Sequence, residues 1–183
     1  DELVVQVSKD AVKSKAPVVT ERLSFTGRYC VLTVGKTGIG FSAKIRDASY
    51  KARLRGLLEC DLAGTKDLGV IVRTNAVTVE ECAVREELAE LMRTWQRLSA
   101  EAGCRVCYSC LYRALPGYIA AIRDSFGGTL EEIITDVPEY HRELKAYLEM
   151  CQKEDAGCLT LYEDSLLPLG RLYSLETAFE KAL

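Results

Sequence analysis

The sequence predicts an α/β fold of mixed α+β character, and three observations carry that prediction. Residues 3–9, 18–25 and 28–34 alternate β-branched and polar side chains at a period of two, the signature of strands with one covered face. A long apolar stripe follows, with Leu88, Leu91, Met92, Trp95 and Leu98 at helical spacing. The second half then alternates short apolar runs with amphipathic stretches, which predicts crossover helices packed on a sheet.

Taken in order, Lys36 to Gly40 carries two glycines and reads as a turn-rich loop. Residues 47–60 hold Tyr50, Leu54, Leu57 and Leu58 at helix-compatible spacing. Val70 to Val72 is a β-branched run that calls for burial, and it stops at Arg73-Thr74. Thr78 with Glu81 three residues on forms a capping-box pattern that opens the next helix, with Cys82 at the start of the stripe, running to about Ala102. Pro116 suits the first turn of a helix that Gly127-Gly128 ends. A strand over 131–135 leads to a helix from Pro138 bearing Leu144, Tyr147, Leu148 and Cys151. Strand 158–162 and a last helix from about Ser174 complete the series.

Composition narrows the class of function. The chain has 183 residues, 48% hydrophobic and 28% charged, enough for one large or two small domains with a core of their own. No apolar run approaches the roughly 18 residues of a membrane span, and no signal-peptide pattern precedes the first strand. A soluble, cytoplasmic protein is the expectation. The net charge of −3 gives no global basic footprint, so contact with a nucleic acid requires a local patch. Candidates are Lys9, Lys13, Lys15, Arg22 and Arg28, then Lys44, Arg46, Lys51, Arg53 and Arg55.

Two segments carry chemistry. Gly69 to Thr74 ends a strand on a planar charged fork and a hydroxyl, the donor set that grips a phosphate. In Thr26 to Val31, Gly27 leaves the main chain open to close approach. Together they predict half of an anion pocket, with Arg73 and Thr74 as donors, a main-chain N–H near Gly27 beside them and Val31 lining it. The plainer alternative is that Arg73 pairs with a neighbouring carboxylate.

Leu3 to Lys9, Lys15 to Thr20, Leu23 to Leu32, Gly38 to Ile45 and Gly69 to Thr74 resemble, in that order, segments of the ribonuclease E/G family. Leu111 to Asp124, Glu132 to Asp136, Leu159 to Tyr162 and Leu175 to Leu183 extend the resemblance over nearly the whole chain. It implies the end of an OB-fold RNA-binding domain and a linker over residues 1–15. It then implies a 5′-sensor β-sheet with packed helices over 16–103 and a degenerate RNase H-like α/β subdomain over 104–183. In the family's terms Gly27, Val31, Arg73 and Thr74 fall on the pocket that recognises the 5′-monophosphate of single-stranded RNA, and Lys15 on a further RNA contact. Asn75-Ala76 departs from the usual small pair after Arg-Thr, and Cys30 sits within the sensor strand.

The resemblance also implies what this chain lacks. The family's catalytic DNase I-like domain, with its Mg²⁺-binding aspartates, has no counterpart here, nor has the Cys-Pro-x-Cys link used in oligomerisation. The expectation is therefore a fragment of an endoribonuclease of RNA processing and decay, without catalytic residues or a cofactor of its own. Its partners would be RNA and its own catalytic domain, with any homo-oligomer formed through the regions it lacks. A different class stays open: a non-catalytic RNA- or ribonucleoprotein-binding module. Cys104, Cys107 and Cys110 have zinc-ligand spacing, with Cys82, Cys151, Cys158 or His141 as a fourth ligand. Against a zinc site stands the use of free cysteine as a small core hydrophobe. Asp124, Asp136, Glu163 and Asp164 raise a nuclease reading that requires carboxylates converging on two ions about 4 Å apart.

Overall fold

Strand β6 (Leu68–Val72) is the axis of the larger of two compact units, Asp1–Leu115 and Pro116–Leu183. The structure, a computed structural model, describes residues 2–125, 130–164 and 166–182. In the first unit four strands form a sheet in the order β3 (Ser24–Thr26), β4 (Cys30–Val34), β6, β5 (Gly38–Phe41). β3 and β4 are antiparallel, β4 and β6 antiparallel, and β5 and β6 parallel. Helix α1 (Ala48–Leu62) makes the crossover from β5 to β6, which a parallel pair requires.

Alternation decides which side of the sheet is dry. Cys30 and Leu32 of β4, with Leu68, Val70 and Val72 of β6, are buried. They pack on Leu54 and Leu58 of α1 and on Val84, Leu88 and Leu98 of α2 (Glu81–Ala102). Trp95 packs at the margin of this core against Phe25, ring centroids 6.1 Å apart. Arg85 of α2 grips the Asp61 carboxylate of α1 with both ends of its fork, at 2.7 and 2.6 Å. Asp47 caps α1, accepting from the N–H groups of Ser49 and Tyr50.

A two-stranded ribbon precedes the sheet, β1 (Gln6–Lys9) antiparallel to β2 (Val18–Thr20). Gln6 ties it to β3, accepting from Ser24 N at 2.8 Å and donating to Ser24 O at 3.0 Å. The second unit holds α3 (Gly117–Asp124), then β7 (Ile133–Thr135), α4 (Pro138–Cys151) and β8 (Leu159–Leu161). β7 and β8 pair in parallel around α4, and Ile119, Ile133, Leu144 and Leu148 form their core. Short helices α5 (Leu169–Leu172) and α6 (Leu175–Ala182) follow.

Several expected boundaries differ, each for a local reason. The run 36–40 is not all loop: after a turn at Gly38, with φ of +109°, the chain enters β5. The capping box is absent. Thr78 instead donates to Asn75 O inside a 3-10 turn over Thr74–Thr78, and α2 starts beyond Glu80. Cys82 is exposed, and Val84 occupies the core position at that end of the helix. Strand 28–34 is shortened to Cys30–Val34 because the N–H groups of Arg28 and Tyr29 are bound elsewhere. Pro116 caps α3 from outside rather than sitting in its first turn, whereas Pro138 does occupy the first turn of α4. The Gly127-Gly128 stop lies outside the described residues.

Gly69 is fixed by a close approach. On the sheet face away from the helices, the 36–38 loop crosses it, so that a Cβ there would lie 2.2 Å from Lys36 O. Gly69→Ala is expected to lower stability by about 2 kcal/mol, because main chain has to move. Gly56→Ala, on the exposed face of α1 with open space around it, is expected to raise stability by about 0.8 kcal/mol. Urea unfolding of the two variants measures this opposition of sign.

Candidate functional site

The sheet delivers Arg73 to its end in extended conformation, one residue past β6. Its main-chain N–H donates to Tyr29 O at 2.8 Å. Its guanidinium Nη1 donates to Gly27 O at 2.7 Å. Arg73 and Gly27, far apart in sequence, are thus brought into direct contact.

Gly27 serves a purpose the sequence did not disclose. The turn that follows it points three successive N–H groups inward at one carboxylate, that of Glu87 on α2. Arg28 N donates to Oε1 at 2.6 Å, while Tyr29 N and Cys30 N donate to Oε2 at 2.7 and 2.8 Å. A Cβ on Gly27 would lie 2.4 Å from Glu87 Cδ. The side-chain-free backbone is therefore filled from within by an acid of the same chain. The expectation of a main-chain donor near Gly27 is corrected accordingly, because the Gly27 N–H itself goes to Cys30 O at 2.9 Å. Gly27 offers a carbonyl that orients Arg73. Beside it the Cys30 thiol is fully buried, and burial together with the Glu87 carboxylate pushes its pKa far above the ordinary thiol range.

Thr74 follows Arg73, and its Oγ1 lies 3.1 Å from Ser42 Oγ, just beyond β5. Ser42 is tethered to the same strand end through its N–H to Val72 O at 2.9 Å. Val31 is half-buried, in register with Ile71 of β6. Lys15 is exposed on the turn joining β1 and β2, where it exchanges main-chain hydrogen bonds with Val12. Four of the five candidates thus gather at one end of the sheet, with Lys15 on the ribbon. Ser42 and Glu87 are the residues that sequence reasoning missed. A serine one residue past a glycine-broken strand gives no signal, and an acid on a helix reads as a solvated face.

The wider basic patch is reduced. Arg28 is buried with its guanidinium over the Tyr29 ring, Arg53 pairs with Glu81, and Arg55 stacks over Phe41. Two surface depressions, of about 470 and 250 Å³, lie elsewhere, along Asp61, Arg85 and Met92 and beside Ile39, Leu62 and Leu68. Neither is lined by Gly27, Arg73 or Thr74. Cys104, Cys107 and Cys110 are all exposed, and a hydrogen bond to Glu2 raises the pKa of the Cys107 thiol. Among the described residues no three Cys, His, Asp or Glu side chains group to hold a metal ion. Asp124 pairs with Arg123, and Asp164 accepts from the Leu166 N–H in a turn. Among the described residues no helix is long and apolar enough to cross a membrane.

The sequence profile of the Ribonuclease E/G family matches residues 24–183. The chain belongs to the ribonuclease E/G family. Similar members include ribonuclease E of a Nostoc species, 27% identical over 99% of this chain and 26% of the relative. Ribonuclease G of Haemophilus influenzae is 29% identical over 100% of this chain and 36% of the relative. A chloroplastic ribonuclease E/G-like protein of Arabidopsis thaliana is 25% identical over 99% of this chain and 19% of the relative. The chain therefore spans about a third or less of the ribonucleases E and G it resembles. Within this family member, replacing the acid that fills the 28–30 turn tests whether that contact holds the site. Glu87→Gln turns an amide N–H₂ toward main-chain donors and is expected to lower stability by about 2 kcal/mol. Urea unfolding reads the loss, and the amide NMR signals of residues 28–30 are expected to shift most.

Proposed function

We propose that this chain is the 5′-end-sensing and scaffolding part of an RNase E/G-type endoribonuclease of RNA processing and decay. One observation carries the reading: the contact of Arg73 with Gly27, next to the Thr74 hydroxyl, at one end of the sheet. A 5′-monophosphate is a compact dianion. With its plane fixed by the Gly27 carbonyl, the Arg73 fork presents N–H groups to two phosphate oxygens, and the Thr74 hydroxyl donates to a third. Val31 lines the site, and Lys15 on the ribbon meets the RNA farther along.

The remaining parts fit the same reading. Strand β1, within residues 1–15, corresponds to the end of an OB-fold domain, and the second unit, β7–α4–β8 with α3, to a degenerate RNase H-like scaffold. Hydrolysis with Mg²⁺ belongs to a catalytic domain outside this chain, which is also its partner in the longer, cytoplasmic enzyme. Any homo-oligomer forms through that region as well. With only the chain's own contacts offsetting the entropy of association, affinity for RNA is of millimolar order.

Titration of a short single-stranded RNA bearing either a 5′-monophosphate or a 5′-hydroxyl, followed by NMR, tests the proposal. Wild type is expected to prefer the phosphorylated RNA by about tenfold, and Arg73→Ala to abolish the preference while the far-UV spectrum stays native. Equal affinity of wild type for both RNAs refutes 5′-end sensing.

A further inference from the structure

Three of the chain's eight cysteines stand within residues 104–110, and the RNA reading gives none of them a role. Cys104, Cys107 and Cys110 are all exposed, although cysteine is among the side chains most often buried. They lie between α2, which ends at Ala102, and Pro116, where the second unit begins. No helix or strand fixes that segment, and single turn bonds shape it. Cys104 N donates to Glu101 O at 3.0 Å, and Ser109 N to Val106 O at 3.1 Å. The second of these turns holds Cys107 in its second position and Tyr108, with φ of +67°, in its third. A left-handed residue at the third position is normally glycine, and Tyr108 is fully exposed there.

Spacing sets what the three thiols can do with one another. A β-turn brings residues three apart to within about 7 Å, and a disulfide spans about 4.4 to 6.8 Å between Cα atoms. Cys107 therefore reaches either neighbour, whereas Cys104 and Cys110 are twice as far apart along the chain. The observed turn is one residue out of step with the Cys107–Cys110 pair. Closure moves it by one residue, out of a conformation that Tyr108 adopts only under strain. Among the described residues the three thiols are not grouped to hold a metal ion, and pairing needs only two of them.

We propose that Cys104, Cys107 and Cys110 form a peroxide-responsive site, in which Cys107 closes a reversible disulfide with one outer thiol. Hydrogen peroxide transfers an oxygen to the sulfur of Cys104 or Cys110, giving a sulfenic acid and one water. The Cys107 sulfur then attacks that sulfenic sulfur. The S–S bond forms, the S–OH bond breaks, and the hydroxide leaves with the Cys107 proton as a second water. Two thiols have lost two electrons and two protons, and one peroxide has been reduced. Cys107 suits the second step, because the hydrogen bond to Glu2 that raises its pKa keeps its sulfur protonated and slower to meet peroxide. Closure also removes the S–H that Glu2 binds. A thiol reductant reopens the bridge by exchange.

Peroxide treatment of the 183-residue chain, alkylation and tryptic mass mapping test this, because cleavage after Arg105 separates Cys104 from the other two. A Cys104–Cys107 bridge joins two peptides, and a Cys107–Cys110 bridge lies within one. With the protein at about 10 μM, bridging within the cluster is expected to exceed bridging between chains about a hundredfold, since a short tether gives a millimolar effective concentration. Exposed cysteines on helices, such as Cys60 and Cys151, are the controls and are expected to give no such bridge. Dithiothreitol is expected to restore all three thiols, and Cys107→Ser to abolish the bridge. A bridge between Cys104 and Cys110 at wild-type yield in Cys107→Ser overturns the role of Cys107. Equal oxidation of cluster and control thiols, or zinc held by the three thiols in the protein as purified, overturns the site.

Discussion

The site depends on one carboxylate. Glu87 receives three consecutive main-chain N–H groups at 2.6 to 2.8 Å and so fixes the turn from Gly27 to Cys30. Inward-pointing N–H groups of this kind form an anion-binding concavity, and an empty one would leave donors unsatisfied. Supplying the anion from α2 couples the helix layer to the sheet end. The turn in turn sets the Gly27 carbonyl that receives Arg73. Helix, turn and guanidinium form one chain of contacts, so the direction of the Arg73 fork follows from packing in the core and not from a flexible loop. A fork held this way loses less entropy on engaging a second partner than a free surface arginine would.

How much of this was legible in the sequence depends on the range of the interaction that decides each feature. The β-branched runs at Cys30–Val34 and Leu68–Val72 and the stripe from Leu88 to Leu98 are one-face patterns, and burial followed them. Strand β5 was hidden because Gly38 and Gly40 lower strand propensity; its pairing with β6 is a tertiary decision. The capping box at Thr78 failed because the hydroxyl found Asn75 O within its own turn. Arg73, Thr74, Gly27 and Val31 were readable as a group by motif and resemblance. Glu87 was not, since nothing in a helical Glu-Glu-Leu announces three main-chain donors reaching it from 57 to 59 residues away.

Gly27 shows how the lack of a side chain can serve a different neighbour from the one the sequence suggests. Sequence reasoning kept its backbone open for a ligand, whereas the neighbour that comes within reach is Glu87. Gly69 obeys the same logic on the next strand but one, where the approaching group is the carbonyl of Lys36. Both are packing glycines, and neither alone is evidence of a bound molecule. Evidence for a ligand has to come from other groups, and at this sheet end those are Arg73, held by the Gly27 carbonyl, and the paired hydroxyls of Thr74 and Ser42.

These groups also bear on the chain's acidic balance. With a net charge of −3, the chain carries no global positive field of the kind that draws in a polyanion, and several cations that could have formed a patch are held by Glu81, Tyr29 and Phe41. On the proposed reading, recognition of RNA by such a chain is short-range, made by a few oriented donors effective only at contact distance. Short-range recognition fits the reading of an end better than the tracking of a strand, because a terminal phosphate presents more oxygens in one place than an internal phosphodiester does. On the proposed reading, a site weak for RNA in general is selective for a terminus.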